Sequence, residues 1–237
     1  MKRYYLVRHG QTTWNSDNRI QGHSDLPLSP AGEAQAKRLG ALFAARHLSG
    51  IFTSHLKRSH QTAAYIAAGN GHPFDSAQDG RAERSRTHGH GVRPVIERDL
   101  AEMHLGEWEG LTPEEVDARF AGAYQQWRTR PSAVRIPGAE PIAAFHRRVR
   151  EAMERIVTGS GDGEYVIVSH GGVIAALLAE VLGADYDALL RRLRLDNAGV
   201  TALECDSTVR HVLWINATAH LDGDRQVFPP LQSGGWF

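Results

Sequence analysis

Residues 1–15 read MKRYYLVRHGQTTWN, and the apolar run at residues 4–7 predicts a short buried strand. The run stops abruptly at Arg8, His9 and Gly10. Packing alone gives no reason for two cationic side chains at the end of a buried strand. Ligand binding does, because ligands of open α/β sheets bind beyond the carboxyl ends of the strands. The stretch therefore predicts a sheet whose first strand tip carries binding groups.

Residues 164–172, EYVIVSHGG, hold the strongest strand signal in the chain and end in the same way, at His170 and Gly171. Glycine after each histidine lets the backbone turn sharply and approach a ligand closely. The helix predicted to begin at Gly171 directs free N–H groups and the positive end of its dipole at an anion. Arg8 adds a planar donor fork that suits phosphate. The two endings together predict a cationic pocket for a compact dianion.

A metal site is the competing interpretation of His9 and His170. Neither histidine has a carboxylate or a third histidine at tight motif spacing, and the adjacent Arg8 would repel a cation. We therefore expect phosphate rather than a metal at this place. Three further histidines, in the stretch 69–94, invite a metal-binding interpretation as well, and a solvated loop is the preferred one: His72, His88 and His90.

Strand and helix signals alternate along the chain. Loop residues are expected through Pro27, and helices are expected from Ser29-Pro30, over residues 56–68, and from Thr112, which forms a capping box with Glu115. Further strands are predicted at residues 50–54, 200–205 and 209–215, the last two as a possible hairpin. Alternating strands and helices predict the α/β class with a largely parallel sheet.

Composition excludes some partners. Lys plus Arg and Asp plus Glu number 27 each among 237 residues, so the balanced charge argues against nucleic acid or a membrane surface as the main partner. No run approaches the roughly 20 apolar residues of a membrane span, and nothing resembles a signal peptide. The single cysteine, Cys205, cannot form an internal disulfide, which fits a reducing compartment. We expect a cytoplasmic protein, and the sequence carries no signal of its oligomeric state.

Residues 69–94, GNGHPFDSAQDGRAERSRTHGHGVRP, interrupt the pattern with many Gly, Ser, Asp, Arg and His residues and almost no apolar ones. We interpret them as an exposed insertion within a single domain of residues 1–237, not as a domain linker. The insertion would be either a mobile lid over the cleft or a tolerated surface loop, and the loop is the preferred interpretation.

Five blocks, in this order, resemble the histidine phosphatase superfamily, also called the phosphoglycerate mutase-like family. They are LVRHGQTTWN (6–15), RIQGHSDLPLSPAGEAQA (19–36), TSHLKRSHQTA (53–63), LAEMHLGEWEGLT (100–112) and VSHGGVI (168–174). The resemblance covers most of the chain, apart from residues 69–94 and the last dozen or so. It implies a three-layer α/β/α sandwich with a mostly parallel central sheet. It also implies a metal-independent phosphoryl transfer in two steps through a phosphohistidine, with no cofactor.

The resemblance implies a role for each matching residue. His9 would be the nucleophile, and Glu102 would give a proton to the leaving oxygen and later act as base for water. Phosphate would be held by the side chains of Arg8, Arg58, His170, Asn15 and Gln21 and by the backbone of Gly171. From the residues alone, an exposed loop glutamate is the preferred interpretation of Glu102, and ordinary turn chemistry explains Asn15 and Gln21 equally well.

The same pocket serves a phosphatase or a mutase. The run EMHLGEWEG (102–110) and the stretch QQWRTRPS (125–132) match the mutase branch poorly, so we expect a phosphatase of small phosphate monoesters. A cofactor-dependent phosphoglycerate mutase and a non-catalytic phospho-ligand binding protein are the alternatives. The substrate would be a small phosphorylated metabolite, and sugar-phosphoglycerates, ribazole phosphates and broad phosphate esters all stay open. In IPGAEPIAAF (136–145), Glu140 keeps the family's acidic group while Pro141 replaces its usual serine.

Overall fold

The computed structural model describes residues 1–72, 91–206 and 210–222. In these ranges, strands and helices alternate along the chain. The strands are β1 (Lys2–Arg8), β2 (Leu48–Thr53), β3 (Pro94–Ile96), β4 (Gly163–Ser169), β5 (Val200–Cys205) and β6 (Arg210–Ala217). The helices are α1 (Thr13–Ser16), α2 (Pro30–Ala44), α3 (Lys57–Gly69), α4 (Pro113–Arg119), α5 (Ala123–Thr129), α6 (Ile142–Gly159), α7 (Gly171–Leu182) and α8 (Tyr186–Arg192).

The strands form one sheet in the order β3-β2-β4-β1-β5-β6. β1, β2, β3 and β4 run parallel to one another, whereas β5 is antiparallel to both β1 and β6. The register aligns Val7 with Val168 and Arg8 with Ser169, so β1 and β4 end side by side. His9 and His170 therefore leave the sheet from neighbouring tips, as the two similar endings predict.

Alternate residues of β1 face two separate cores. Tyr4 and Leu6 pack into the core beneath α6 and α7, and Tyr5 and Val7 pack into the core beneath α2 and α3. All four side chains are at most 1% exposed. Burying a side chain of this size stabilises the fold by about 1.5–3 kcal/mol, and β1 makes this contribution on both faces. The sheet thus lies between two helical layers, which confirms the predicted sandwich.

The predicted helix starts are confirmed at their caps. Ser29 accepts a hydrogen bond from the N–H of Gly32 at the start of α2. Thr112 and Glu115 form the predicted capping box of α4. α7 ends at Gly183, whose φ of 59° lies in the left-handed region that glycine adopts without strain. These local signals are strong because they satisfy N–H and C=O groups that the helix itself leaves unpaired.

Three short helices differ from the sequence prediction. Residues 13–16 were expected in a loop but form α1, whose capping box joins Thr12 and Asn15. α5 and α8, of seven residues each, were not predicted at all. Helices this short show no apolar periodicity, and their stability comes from tertiary packing, so a sequence pattern does not reveal them.

The predicted insertion falls mostly on residues 73–90, which lie outside the described residues. On either side of it, α3 ends at Gly69 and β3 begins at Pro94. A β-carbon on Gly91 would lie 2.1 Å from the backbone nitrogen of His72, so the two ends of the described chain meet there. β5 and β6 form the expected antiparallel pair. No helix in the described ranges is long and apolar enough to cross a membrane.

Candidate active site

His9 directly follows β1 and is 3% exposed. Its ring Nδ1 lies 2.7 Å from the carbonyl oxygen of Gly10. A carbonyl oxygen only accepts, so the ring carries its proton on Nδ1. Nε2 in turn accepts a hydrogen bond of 3.2 Å from Nε of Arg58. Both contacts select the same tautomer, in which the lone pair of Nε2 points into the site.

The environment of His9 keeps its imidazole neutral. Burial, with the positive charges of Arg58 and Arg8 beside it, lowers the pKa of His9 well below its ordinary value. A neutral imidazole with a free lone pair is a nucleophile, whereas an imidazolium is not. The ring is therefore held in its nucleophilic form.

Arg58 lies in the first turn of α3 and is 1% exposed. Its Nη1 and Nη2 donate hydrogen bonds of 2.8 Å to the carbonyl oxygens of Ser24 and Gly22. Burial lowers the pKa of Arg58 to about 10, which still leaves the guanidinium charged at neutral pH. The loop at residues 22–24 thus fixes the plane of the guanidinium against His9.

Arg8 places a second guanidinium in the site, at the tip of β1 and next to His9 in the chain. Its Nη1 donates to the carbonyl oxygen of Leu195, while its Nε is buried and has no partner in the part of the chain that the structure describes. This Nε lies 3.8 Å from the position that a β-carbon on Gly171 would take, so it adjoins the start of α7. Burial lowers the pKa of Arg8, and the carboxylates of Glu102 and Asp196 oppose that shift.

His170 is fully buried at the N-cap of α7, and its ring centre lies 5.2 Å from that of His9. Its Nε2 lies 2.8 Å from the hydroxyl of Ser54. Its Nδ1 is buried and finds no partner among the described residues. Burial, followed by the charge of Arg58, lowers the pKa of His170 well below its ordinary value. The second histidine is therefore neutral as well.

Glu102 is held against the start of α7. Its Oε2 accepts a hydrogen bond of 3.1 Å from the N–H of Gly172, and its Oε1 accepts one of 2.9 Å from the N–H of Met103. Its carbonyl oxygen contacts Nε2 of His23 at 2.7 Å and accepts from Nη2 of Arg148 at 2.8 Å. Glu102 is thus a partly buried group anchored at the start of α7, the helix that His170 caps, and not an exposed loop glutamate.

Three amide side chains complete the surroundings of His9. Asn15 accepts from the backbone N–H of Thr12 at 3.0 Å, and Gln21 accepts from the Thr12 hydroxyl at 3.0 Å. Asn197 donates to the carbonyl oxygen of His9 at 3.0 Å and to Oδ1 of Asn15 at 3.4 Å. Asn15 and Gln21 thus accept hydrogen bonds from Thr12 through their side-chain oxygens. Their NH₂ groups are the parts of these side chains that can donate to a phosphate.

The structure brings all the predicted site residues to the carboxyl end of the sheet. Sequence reasoning missed Ser54 and Asn197. Ser54 directly follows β2, so it sits on a third strand tip, and the reasoning applied to His9 and His170 would have found it. Asn197 precedes β5 in a turn and carries no comparable signal.

Histidines also cluster beside Glu102. The ring of His23 packs edge to face on His104 at 5.0 Å and on His55 at 6.4 Å between ring centres. The described ranges contain no group of three or more His, Cys, Asp or Glu side chains placed to hold a metal ion. The cluster is therefore a packed set of rings bordering the site.

A model of the histidine phosphatase superfamily (branch 1) matches residues 4–81 and 81–218. The chain therefore belongs to this superfamily, as the five blocks predict.

Curated relatives agree with this assignment. The chain is 35% identical over 204 residues to 2-carboxy-D-arabinitol-1-phosphatase of Triticum aestivum, with 86% of this chain and 37% of that protein covered. It is 34% identical over 174 residues to phosphoglycerate mutase-like protein 4 of Arabidopsis thaliana, covering 73% and 67%. It is 32% identical over 194 residues to glucosyl-3-phosphoglycerate phosphatase of Mycolicibacterium vanbaalenii, covering 79% and 77%. The chain thus spans little more than a third of the length of the first of these proteins.

Among solved structures, YhfR of Bacillus stearothermophilus superposes with a TM-score of 0.81 at 28% identity, covering 94% of this chain and 100% of that one. The predicted fold class is confirmed by this match. The predicted class of enzyme, a phosphatase of small phosphate monoesters, is confirmed at the level of the named relatives. The substrate and the steps of the reaction are matters for proposal.

Proposed function

We propose that the chain hydrolyses small phosphate monoesters in two steps, through a phosphohistidine formed on Nε2 of His9. One observation carries the proposal. The only lone pair on the His9 ring is on Nε2, because Nδ1 donates to Gly10, and this lone pair contacts the guanidinium of Arg58 at 3.2 Å. That is the arrangement that in-line attack on phosphorus requires.

In the first step, Nε2 of His9 attacks phosphorus and the bond from phosphorus to the ester oxygen breaks. Glu102, which must enter this step as the neutral carboxylic acid, gives its proton to the leaving oxygen and becomes a carboxylate. In the second step, water attacks the phosphoryl group, Glu102 takes a proton from that water, and the N–P bond returns its electron pair to Nε2. The products are an alcohol and inorganic phosphate, and the enzyme regains its starting form.

Charge stabilisation comes from the chain's own donors. The transferred group spreads negative charge over three oxygens, and catalysis of such a transfer is mostly positioning and electrostatics. Arg58, Arg8 and His170 supply N–H groups at the tips of three elements, and the N-terminus of α7 at Gly171 adds its dipole. The formal net charge of the chain is zero, so this positive potential is local to the site.

A phosphatase is preferred to a mutase because residues 102–110 and 125–132 match the mutase branch poorly. It is also preferred to a non-catalytic binding protein. The groups that a binding protein would not need are both in place: a neutral imidazole with its lone pair on Nε2 at His9, and an anchored carboxyl group at Glu102. The substrate class that we propose is a small sugar phosphate or phosphoglycerate derivative, in keeping with the names of the relatives. We place the protein in the cytoplasm, since its single cysteine, Cys205, is buried as a free thiol.

The first test is turnover of an aryl phosphate by the purified chain and by His9→Ala. We expect turnover by the wild type in the presence of EDTA, inhibition by vanadate, and loss of nearly all activity in the variant. Brief mixing with ³²P-labelled substrate followed by a denaturing quench should leave acid-labile, base-stable label on the wild type only. Near-normal activity of His9→Ala would overturn the mechanism.

Two further assays separate the alternatives. Incubation with 3-phosphoglycerate, with and without the bisphosphate primer, should give inorganic phosphate and no 2-phosphoglycerate. Robust interconversion would make the protein a mutase, and tight phosphate-ester binding without turnover would make it a binding protein. A panel of phosphate monoesters ranked by kcat/KM then identifies the substrate class.

A further inference from the structure

Ser54 joins the site from a third strand tip. It is the residue after β2, and its backbone N–H donates to the carbonyl oxygen of Val168 at 3.2 Å, which ties the end of β2 to that of β4. Its side chain is fully buried. The hydroxyl oxygen lies 2.8 Å from Nε2 of His170. Ser54 therefore touches the ring of His170 on the side away from its unpartnered Nδ1.

The direction of this hydrogen bond follows from the other contacts of the hydroxyl. The backbone N–H of Leu56 donates to the hydroxyl oxygen of Ser54 at 3.2 Å, so the oxygen already accepts. The hydroxyl proton then needs an acceptor, and Nε2 of His170 is the one that it reaches in the described ranges. A buried donor left without a partner is costly. The hydroxyl therefore donates, Nε2 accepts, and the neutral ring carries its proton on Nδ1.

We propose that Ser54 is a positioning residue that sets the tautomer of His170, so that its Nδ1–H donates to an oxygen of the transferred phosphoryl group. The proposal rests on the function proposed above and deepens it. The buried Nδ1 of His170 has no partner among the described residues, so a phosphoryl oxygen would supply the missing acceptor. A neutral imidazole has one N–H only, so the group on the far side of the ring decides which nitrogen bears it.

The two histidines of the site then hold the same tautomer for opposite purposes. In His9, Nδ1–H donates to the carbonyl oxygen of Gly10, and Nε2, which carries no proton, is the proposed nucleophile. In His170, Nε2 accepts from the hydroxyl of Ser54, and Nδ1–H is the proposed donor to a phosphoryl oxygen. Neither ring has to take up a proton to act, which fits the lowered pKa of both.

The test combines kinetics with NMR of ¹⁵N-labelled histidine. In the wild type without ligand, the ¹⁵N shifts and couplings of His170 should show a proton on Nδ1. In Ser54→Ala the proton should move to Nε2, and kcat/KM for an aryl phosphate should fall about 10- to 100-fold, the loss typical of removing a hydrogen-bond partner that fixes the tautomer of a functional histidine. The ¹⁵N pattern of His9 should not change. Ser54→Cys fills about the same space with a weaker donor, so its kcat/KM should lie between those of the wild type and Ser54→Ala.

Ser59→Ala is the matched control. Ser59 is another fully buried serine near the start of α3, and its hydroxyl donates to the carbonyl oxygen of Val168 at 2.7 Å without contacting a site histidine. This variant should lose stability yet keep the tautomer of His170. Wild-type protein with the His170 proton on Nε2, or Ser54→Ala with unchanged kcat/KM, would overturn the proposal. The wild-type spectrum decides even where Ser54→Ala does not fold. Activity retained by His9→Ala would instead overturn the proposed function and leave the tautomer measurement standing.

Discussion

Nε of Arg58 donates to Nε2 of His9 at 3.2 Å, so a guanidinium N–H covers the lone pair that we propose as the nucleophile. The other two donor nitrogens of Arg58 are fixed on Gly22 and Ser24. In the proposed mechanism, the Nε–H would exchange its acceptor on His9 for a phosphoryl oxygen when a phosphoryl group enters. Arg58 would thus shield the nucleophile in the free protein and stabilise charge during the reaction.

The first prediction concerns Arg58→Ala. Loss of one preorganised donor should lower kcat/KM for an aryl phosphate about 100- to 1000-fold. Arg58→Lys should restore little of this, because an ammonium cannot span Gly22, Ser24 and His9 at once. The alanine variant should also raise the pKa of His9, since a neighbouring positive charge that disfavours imidazolium is gone. Kinetics and a ¹⁵N histidine titration measure the two effects.

Arg155→Ala is the control for this prediction. Arg155 is half-exposed on α6 and pairs with Glu97 and Asp99, away from the site. Such a pair contributes little, on the order of 1 kcal/mol or less, so kcat/KM should stay at the wild-type level. A wild-type rate in Arg58→Ala would show that the phosphoryl charge is held by other groups.

The second prediction concerns Glu102→Gln and the leaving group. An amide cannot supply the proton that a leaving alkoxide needs, whereas a nitrophenolate leaves without one. Turnover of an alkyl phosphate should therefore fall by about 100-fold or more, and turnover of p-nitrophenyl phosphate by much less. The ratio is taken from kcat/KM with both substrates, because kcat/KM covers the steps up to the phosphohistidine and leaves out the second step, in which Glu102 would act as base. Equal losses on the two substrates would mean that Glu102 does not act as the acid.

The α/β class and the position of the two histidines at neighbouring strand tips were predictable because they depend on local patterns. Apolar runs that stop at Arg8-His9-Gly10 and at His170-Gly171 mark two strand tips wherever the strands lie in the sheet. The contact between Ser54 and His170 depends on β2 lying beside β4, and no local pattern specifies that order. The roles of Arg58 and Glu102 came from the resemblance alone, since an arginine in a helix and a glutamate in a loop are ordinary by themselves.

The third prediction is a loss of stability in mild acid. His9 and His170 have lowered pKa values in the folded protein, whereas in the unfolded chain a histidine titrates near 6.5. Below about pH 6.5 the unfolded chain binds protons that the folded chain does not, so the free energy of unfolding falls as the pH falls toward the folded pKa values. Above that pH the two histidines contribute no pH dependence. Three further histidines with lowered pKa act in the same direction: His55, His146 and His220.

Urea unfolding followed by circular dichroism at pH 7.5, 6.5 and 5.5 measures this slope. His9→Asn removes one buried titrating ring, so its stability should depend less steeply on pH than that of the wild type. A variant slope as steep as the wild-type slope would mean that His9 is protonated alike in the folded and unfolded states.

The fourth prediction tests the position of the Glu102 carboxyl group by changing Gly172, whose backbone N–H binds it. A β-carbon on Gly172 would lie 2.4 Å from Oε1 of Glu102, while the N–H of Gly172 holds Oε2 at 3.1 Å. Gly172→Ala should therefore displace the carboxylate without removing it, and should repeat the substrate preference of Glu102→Gln: a large loss of turnover with alkyl phosphates and a smaller one with p-nitrophenyl phosphate. Gly159→Ala, at the end of α6, adds a methyl group with no atom within 4 Å and should leave both rates unchanged. If Gly172→Ala turned over alkyl phosphates at the wild-type rate, the position of Glu102 against α7 would have no part in proton transfer.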